Sequence, residues 1–268
     1  PTCWWSWGYM PVINRLRLVY GDEILVRMPL TMMYSDVDEW KKGLGLDTVG
    51  LGGWLKESRQ RIGVPMITEV GDATFPKDVS LASCAAMAAR LQGLEQGERY
   101  FRALNRMIVV EGRRPINEKV FVAAAEEAVL DMAAFRFDLA AVSERTKELT
   151  HQVKGLEDFG VTFYKITITD GRRRITLDYA FDPAEVESAI DWLTGGKLIK
   201  KTPQDVIGYI RAQGIVSTVE IARVFRLDEQ AALDKLQEFK AQGLVTHMVF
   251  AEADHWGPVA EKGKSAKK

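Results

Sequence analysis

Two cysteines and three histidines are the scarce reactive side chains of this 268-residue chain. Cys3 stands in Cys3-Trp4-Trp5-Ser6, at the mouth of a run over 4–20 whose Val12, Ile13, Leu16 and Val19 fall on one helical face. A thiol placed there faces unsatisfied backbone N–H groups and the positive end of the helix dipole. Both favour thiolate over thiol, and thiolate is the nucleophile of disulfide exchange. Ser6, one turn further on, can donate a hydrogen bond to that thiolate but cannot close a disulfide with it. Trp4 and Trp5, between the two, are candidates for an apolar platform for a peptide or aromatic substrate, the alternative being that they pack into the core. Cys84, inside the small-residue helical stretch Ala82–Ala89, reads as a buried structural cysteine. His151, His247 and His255 have no ligand spacing, so no metal site is expected. The glycines of 43–53 follow no strand of a βαβ unit and do not make a nucleotide loop. Ser6 lacks the neighbouring histidine and the Gly-x-Ser-x-Gly elbow of a hydrolase.

Several elements must position these groups. Pro11 should kink the first helix, and Gly21-Asp22 should end it. Glu23–Leu30 reads as a short strand that Pro29 helps terminate. Helices are expected at 47–62, 79–92, 95–110, 117–128 and 131–150. Then the period changes: Phe163–Thr169 and Arg174–Ala180 alternate, with Asp170-Gly171 between them as a hairpin signal. Asp182-Pro183 opens a helix to about Trp192, by capping and by proline at the first helical position. Gly195-Gly196 marks a boundary. Beyond it, Thr202–Asp205 starts a helix stopped by Gly214. Ser217-Thr218-Val219-Glu220 is a capping box, and Asp228 caps a third helix carrying Leu233, Leu236 and Phe239. A strand at Leu244–Phe250 follows. Three short helices and a strand pair outline a winged helix over 200–258, leaving 259–268 as a polar, basic tail expected to be disordered.

The run PTCWWSWGYMPVINRLRLVYGD, with Cys3-x-x-Ser6 and a proline five residues later, resembles the thioredoxin-fold oxidoreductases of the DsbA-like family. Within that family it looks most like the non-periplasmic branch, relatives of hydroxychromene-carboxylate isomerases and kappa-class glutathione transferases. The order of strand, long helical insertion, hairpin and final helix is similar too. The resemblance covers about residues 1–195, with the insertion at about 35–151. It implies an α/β thioredoxin-like fold, a catalytic Cys3 assisted by Ser6, and glutathione as a thiol co-substrate with no tightly bound cofactor. Three features depart from the family pattern. Ser6 replaces the resolving cysteine. No proline lies between Pro115 and Pro183, so the family's cis-proline position falls to Gly160, Val161 or Thr162. There Val161 and Thr162 would offer backbone to a bound substrate. The strand expected ahead of Cys3 is missing from the N-terminus, which starts at Pro1, so a targeting signal is neither seen nor excluded.

Composition narrows the choices. Hydrophobic residues at 47% and charged residues at 27% suit a globular core. Lys and Arg at 36 against Asp and Glu at 37 leave a net charge of −1, not the footprint of a nucleic-acid binder. The third helix of the C-terminal unit sets four acids against two bases, which suits DNA poorly and leaves protein contact or dimerisation as its use. No apolar run is long enough to span a membrane. The scarce cysteines and the branch resembled point to a cytoplasmic protein. The reading that results is a monothiol thiol-disulfide oxidoreductase in which Cys3 attacks disulfides or glutathione mixed disulfides. The alternatives are a glutathione-dependent isomerase or transferase, a non-catalytic adaptor, and a redox-sensing regulator.

Overall fold

A computed structural model describes residues 2–30, 36–43, 45–46, 50–70, 77–114, 116–141, 144, 146–149 and 165–259. Helix α1 (Trp4–Tyr20) starts from Cys3, whose extended backbone (φ −87°, ψ 121°) makes it the N-cap, and stops at Gly21 with φ of 55°. Pro11 lies inside it, where it lacks the N–H that would bond back to Trp7. Gly8 lets α1 approach the neighbouring helix end: a Cβ there would stand 2.5 Å from Ile62 Cγ2.

The strand expected over Glu23–Leu30 does not form as one. After a 3₁₀ turn (Gly21–Glu23) the backbone runs extended through Leu30 with alternating burial, but it shares no ladder with another described strand. Side-chain alternation records which face is covered, whereas a strand also needs a hydrogen-bonding neighbour.

The helical insertion holds α2 (Val37–Gly43), α3 (Gly50–Ile62), α4 (Ser80–Arg90), α5 (Leu94–Val109), α6 (Glu118–Glu127) and α7 (Met132–Ala140). Helix α5 is its axis, buried almost continuously from Tyr100 to Val109. The small residues of α4 and Gly97 of α5 permit close approach; a Cβ on Gly97 would meet Arg90 Cα at 2.8 Å. The single helix expected over 131–150 instead ends at Ala140, where Ala141 leaves the helical region (ψ 47°), and helical residues recur at 144 and 146–149.

Strands β1 (Lys165–Thr169) and β2 (Arg174–Asp178) then pair antiparallel, with Ile166 opposite Leu177 and Ile168 opposite Ile175. Their loop is closed by Asp170, whose Oδ1 accepts from the N–H groups of Arg172 (2.9 Å) and Arg173 (2.7 Å). Tyr179, at φ 54°, ends the second strand earlier than the alternation suggests. Helix α8 (Pro183–Thr194) is capped by Asp182 and closed by left-handed Gly195. Val12, Leu16 and Val19 of α1 meet Val186 and Ile190 of α8 in one buried cluster, and Ile166, Ile168 and Leu177 of the hairpin pack on it. This is the α/β, thioredoxin-like part of the molecule.

The C-terminal unit runs α9 (Val206–Gln213), β3 (Val216–Ser217), α10 (Thr218–Phe225), α11 (Glu229–Ala241), β4 (Val245–Phe250) and β5 (Ala253–Pro258). Its strands lie in the order β3-β5-β4, all antiparallel. A core of Val206, Ile210, Ile221, Leu236 and Trp256 is its own. The capping box is only half made. Ser217 Oγ accepts from Glu220 N–H at 3.1 Å, but the Glu220 carboxylate turns away, drawn into an ion pair with Arg102 of α5 at 2.9 Å. A buried cation outbids a cap here.

Candidate functional site

The amino end of α1 presents Cys3 half-exposed, and its side chain accepts no capping hydrogen bond. Its carbonyl is held from below by Asn105 of α5, whose Nδ2 donates to it at 3.2 Å. Asn105 is fully buried, so it fixes the start of α1 against the insertion's central helix. Tyr9 lies close enough that burial first, and then negative charge at Cys3, drive its phenol well above the ordinary tyrosine range. Tyr9 therefore keeps its proton beside the thiol.

The structure draws the other predicted residues into different settings. Ser6 is half-buried, and among the described residues no hydrogen bond joins it to Cys3. Trp4 and Trp5, expected at the mouth, are 3% and 7% exposed. Trp5 stacks on Phe181 (ring centroids 5.6 Å apart) and meets Tyr179 (5.1 Å) and Trp54 (6.1 Å), so its large apolar area is spent on holding α1 to the final helix region and α3. Trp7 is also inside, its indole N–H donating to Pro65 carbonyl at 3.2 Å. Trp4 forms part of the wall of a cavity between the insertion and the C-terminal unit. Val161 and Thr162, with Gly160, lie outside the described residues. Cys84 is fully buried, its Sγ 3.4 Å from Thr146 Oγ1, and so is out of reach of a bound disulfide. Among the described residues no group of His, Cys, Asp and Glu side chains could hold a metal ion.

Sequence reasoning passed over the polar residues of α5. Arg102, Asn105 and Arg106 recur at three- and four-residue spacing within LEQGERYFRALNRMIV, in the buried stretch of the helix from Tyr100 to Val109. Such a polar stripe on an apolar face was the available signal, because buried polar groups need partners. Arg102 donates to Gln213 and Ile215 carbonyls (2.9 and 3.1 Å) and pairs with Glu220, while Glu220 also receives the Tyr209 hydroxyl. Asn14 of α1 donates to Tyr209 Oη at 2.9 Å and completes the set. The C-terminal unit is thus locked to the α1–α5 framework that carries Cys3.

A family model described as Thioredoxin matches residues 1–163. The chain belongs to the thioredoxin family. Among solved structures, the cytosolic disulfide reductase DsbM from Pseudomonas aeruginosa, determined with GSH, is similar in fold. It has a TM-score of 0.50 and 20% identity, over 72% of this chain and 95% of that one. The family is DsbA-like in its thioredoxin fold and helical insertion. Curated relatives extend beyond it into the C-terminal unit. The ClpXP adapter protein SpxH of Shouchella clausii (strain KSM-K16) is 25% identical over 269 residues, which is 96% of this chain and 85% of that protein. The ClpXP adapter protein SpxH of Bacillus subtilis (strain 168) is 26% identical, covering 95% and 84%. No helix among the described residues is long and apolar enough to cross a membrane.

Proposed function

We propose that this thioredoxin-family chain works as a protein-binding adaptor of the kind its SpxH relatives are named for, presenting a bound protein to a ClpXP-type protease. The observation that carries this reading is the lone thiol. Cys3 has Ser6 where a second cysteine would resolve a mixed disulfide, and Cys84, the other cysteine of the chain, is sealed in the insertion. A site so equipped cannot complete a dithiol cycle within itself. The similarity to the adapters, in contrast, spans both the thioredoxin part and the C-terminal unit. A division at about residues 195–200 belongs to this reading, with a buried cluster of Val206, Ile210, Ile221, Leu236 and Trp256 supporting it.

The test follows protein half-lives by pulse-chase mass spectrometry in cells that lack the chain. A small set of proteins should become longer-lived, and both the wild-type chain and Cys3→Ala should restore their turnover. Unchanged half-lives would sink the adaptor reading.

A second reading rests on the exposure of Cys3 at the amino end of a 17-residue helix. There the thiolate would attack the mixed disulfide of a thiol with glutathione, form a Cys3–glutathione disulfide and release the thiol as thiolate. A second glutathione would then attack, leaving oxidised glutathione and free Cys3. This monothiol cycle requires glutathione as substrate. It predicts reduction of a glutathionylated peptide that Cys3→Ala abolishes and Cys84→Ala leaves intact.

A further inference from the structure

The cavity that Trp4 helps wall has a volume of about 560 Å³ and lies between the insertion and the C-terminal unit. One side is the segment Met66–Val70, which forms neither helix nor turn. Ile67 N–H is spent on Val109 carbonyl at 2.9 Å, but Thr68, Glu69 and Val70 make no backbone hydrogen bond to a described residue. Five residues in strand geometry span about 16 Å at about 3.3 Å each, room for a short added strand. Backbone groups with no partner among the described residues, beside a groove, are what β-strand addition can use.

Charge around this segment is lopsided. Lys56 and Arg59 of α3 and Arg113 and Arg114 after α5 contribute four cations, against Glu69 and Glu252, and Arg113 is already paired with Glu111 at 2.7 Å. Lys56 and Arg114 form no ion pair with a described residue. Among the described residues Arg59 is engaged by the β4–β5 turn, at 3.3 Å from exposed Glu252 and 3.4 Å from Ala251 carbonyl. Between the cations the wall is apolar, with Met66 and Ile108 buried in it. A polyanion such as nucleic acid would meet both glutamates and little to stack on. An extended peptide with alternating acidic and apolar side chains would satisfy backbone, cations and apolar wall together.

We infer that the groove between Met66–Val70, α3 and the β4–β5 turn binds an extended acidic peptide segment by strand addition. That the segment belongs to the protein being delivered rests on the adaptor reading; the groove's chemistry does not.

The test measures fluorescence anisotropy of a labelled decapeptide alternating Glu and Val against the full chain, with the Lys–Val counterpart and a single-stranded dodecathymidine as rivals. The acidic peptide should bind, at least tenfold more weakly in the exposed double variant Lys56→Glu/Arg114→Glu and in Glu69→Pro, which removes an N–H from the open edge. Both variants should keep the wild-type circular dichroism. The inference is overturned if the acidic peptide does not bind, if the Lys–Val peptide or the oligonucleotide binds as well, or if the variants bind as wild type does. In the half-life experiment, the double variant should fail to restore turnover. Restored turnover despite lost peptide binding would overturn the groove as the partner's site while leaving the adaptor reading standing. No half-life effect from the wild-type chain would remove the adaptor reading, and the anisotropy alone would then decide the groove.

Discussion

At Cys3, three neighbours set what the sulfur can do: the start of α1, the Asn105 amide that pins its carbonyl, and the protonated phenol of Tyr9. Cys84 shares none of this, being enclosed by α4 and Thr146. Iodoacetamide under native conditions should therefore alkylate Cys3 readily. Cys84 should react slower by roughly 100-fold or more, because it must wait for local opening. Comparable rates read by peptide mass spectrometry would contradict the burial. A second residue-level expectation concerns His255 on β5. It is fully buried, its Nδ1 lies 3.0 Å from Ala253 carbonyl, and its Nε2 has no hydrogen-bond partner among the described residues. Burial foremost holds its pKa below the usual 6.5. The unfolded chain takes up this proton near pH 6.5 while the folded chain resists it. The stability contributed by neutral His255 is therefore complete above that pH and falls as the pH drops below it, by up to about 1.4 kcal/mol per unit. Urea unfolding at pH 7.5 and 5.5 should show the decline, and His255→Phe should flatten it. The sequence made Cys3 conspicuous through helix-start placement. Asn105 and His255 were not legible, since their roles depend on which distant backbone happens to lie opposite.

Elements whose signals are local came through well. Asp182-Pro183 before α8, Asp228 before α11 and Ser217 before α10 all cap as their types require, because the cap donor and acceptor lie within three residues. Asp182→Ala should cost about 1 kcal/mol in urea unfolding, and a loss under a few tenths would mean the Asp182 cap carries little. Signals that depend on a remote neighbour came through poorly. The alternation of Glu23–Leu30 was real, yet no described strand pairs with it; the 131–150 periodicity hid a break at Ala141 that no glycine or proline announces. The tryptophans Trp4 and Trp5 stayed open in the sequence for the same reason: whether an indole lines a mouth or fills a core depends on residues such as Phe181 and Trp54, far away in sequence. Close approach is equally non-local. Gly8→Ala would press a methyl onto Ile62 Cγ2 and Phe181, and should cost about 1–3 kcal/mol by overpacking.

For the whole molecule, the decisive fact is that the C-terminal unit is held by buried charge as well as by the packing of Val219, Phe250 and Ala251 on the main core. Arg102 of α5 reaches across to Gln213, Ile215 and Glu220; Arg15 of α1 donates to Val224 carbonyl at 2.6 Å while paired with Glu187; Arg223 of α10 donates to Ile62 and Gly63 carbonyls at 2.9 and 3.0 Å. Each guanidinium is planar and multiply donating, so several such bonds together fix orientation as well as distance. The groove beside Met66–Val70 exists only while that orientation holds, because the turn Ala251–Glu252 closes one of its sides. Removing one partner of a buried pair leaves the other charged and unpaired, a loss of about 3–5 kcal/mol, whereas removing both into apolar residues is often nearly neutral. Arg102→Ala should therefore split urea unfolding into two transitions when followed by two probes, one on each unit. It should also make the 197–205 connection more susceptible to protease. The pair Arg102→Met and Glu220→Leu should recover most of the stability yet leave the acidic-peptide affinity reduced, since packing alone does not restore the angular register. A single sharp transition in Arg102→Ala, with the connection still protected, would show instead that the units are held by their apolar contacts and that the arginines merely decorate the seam.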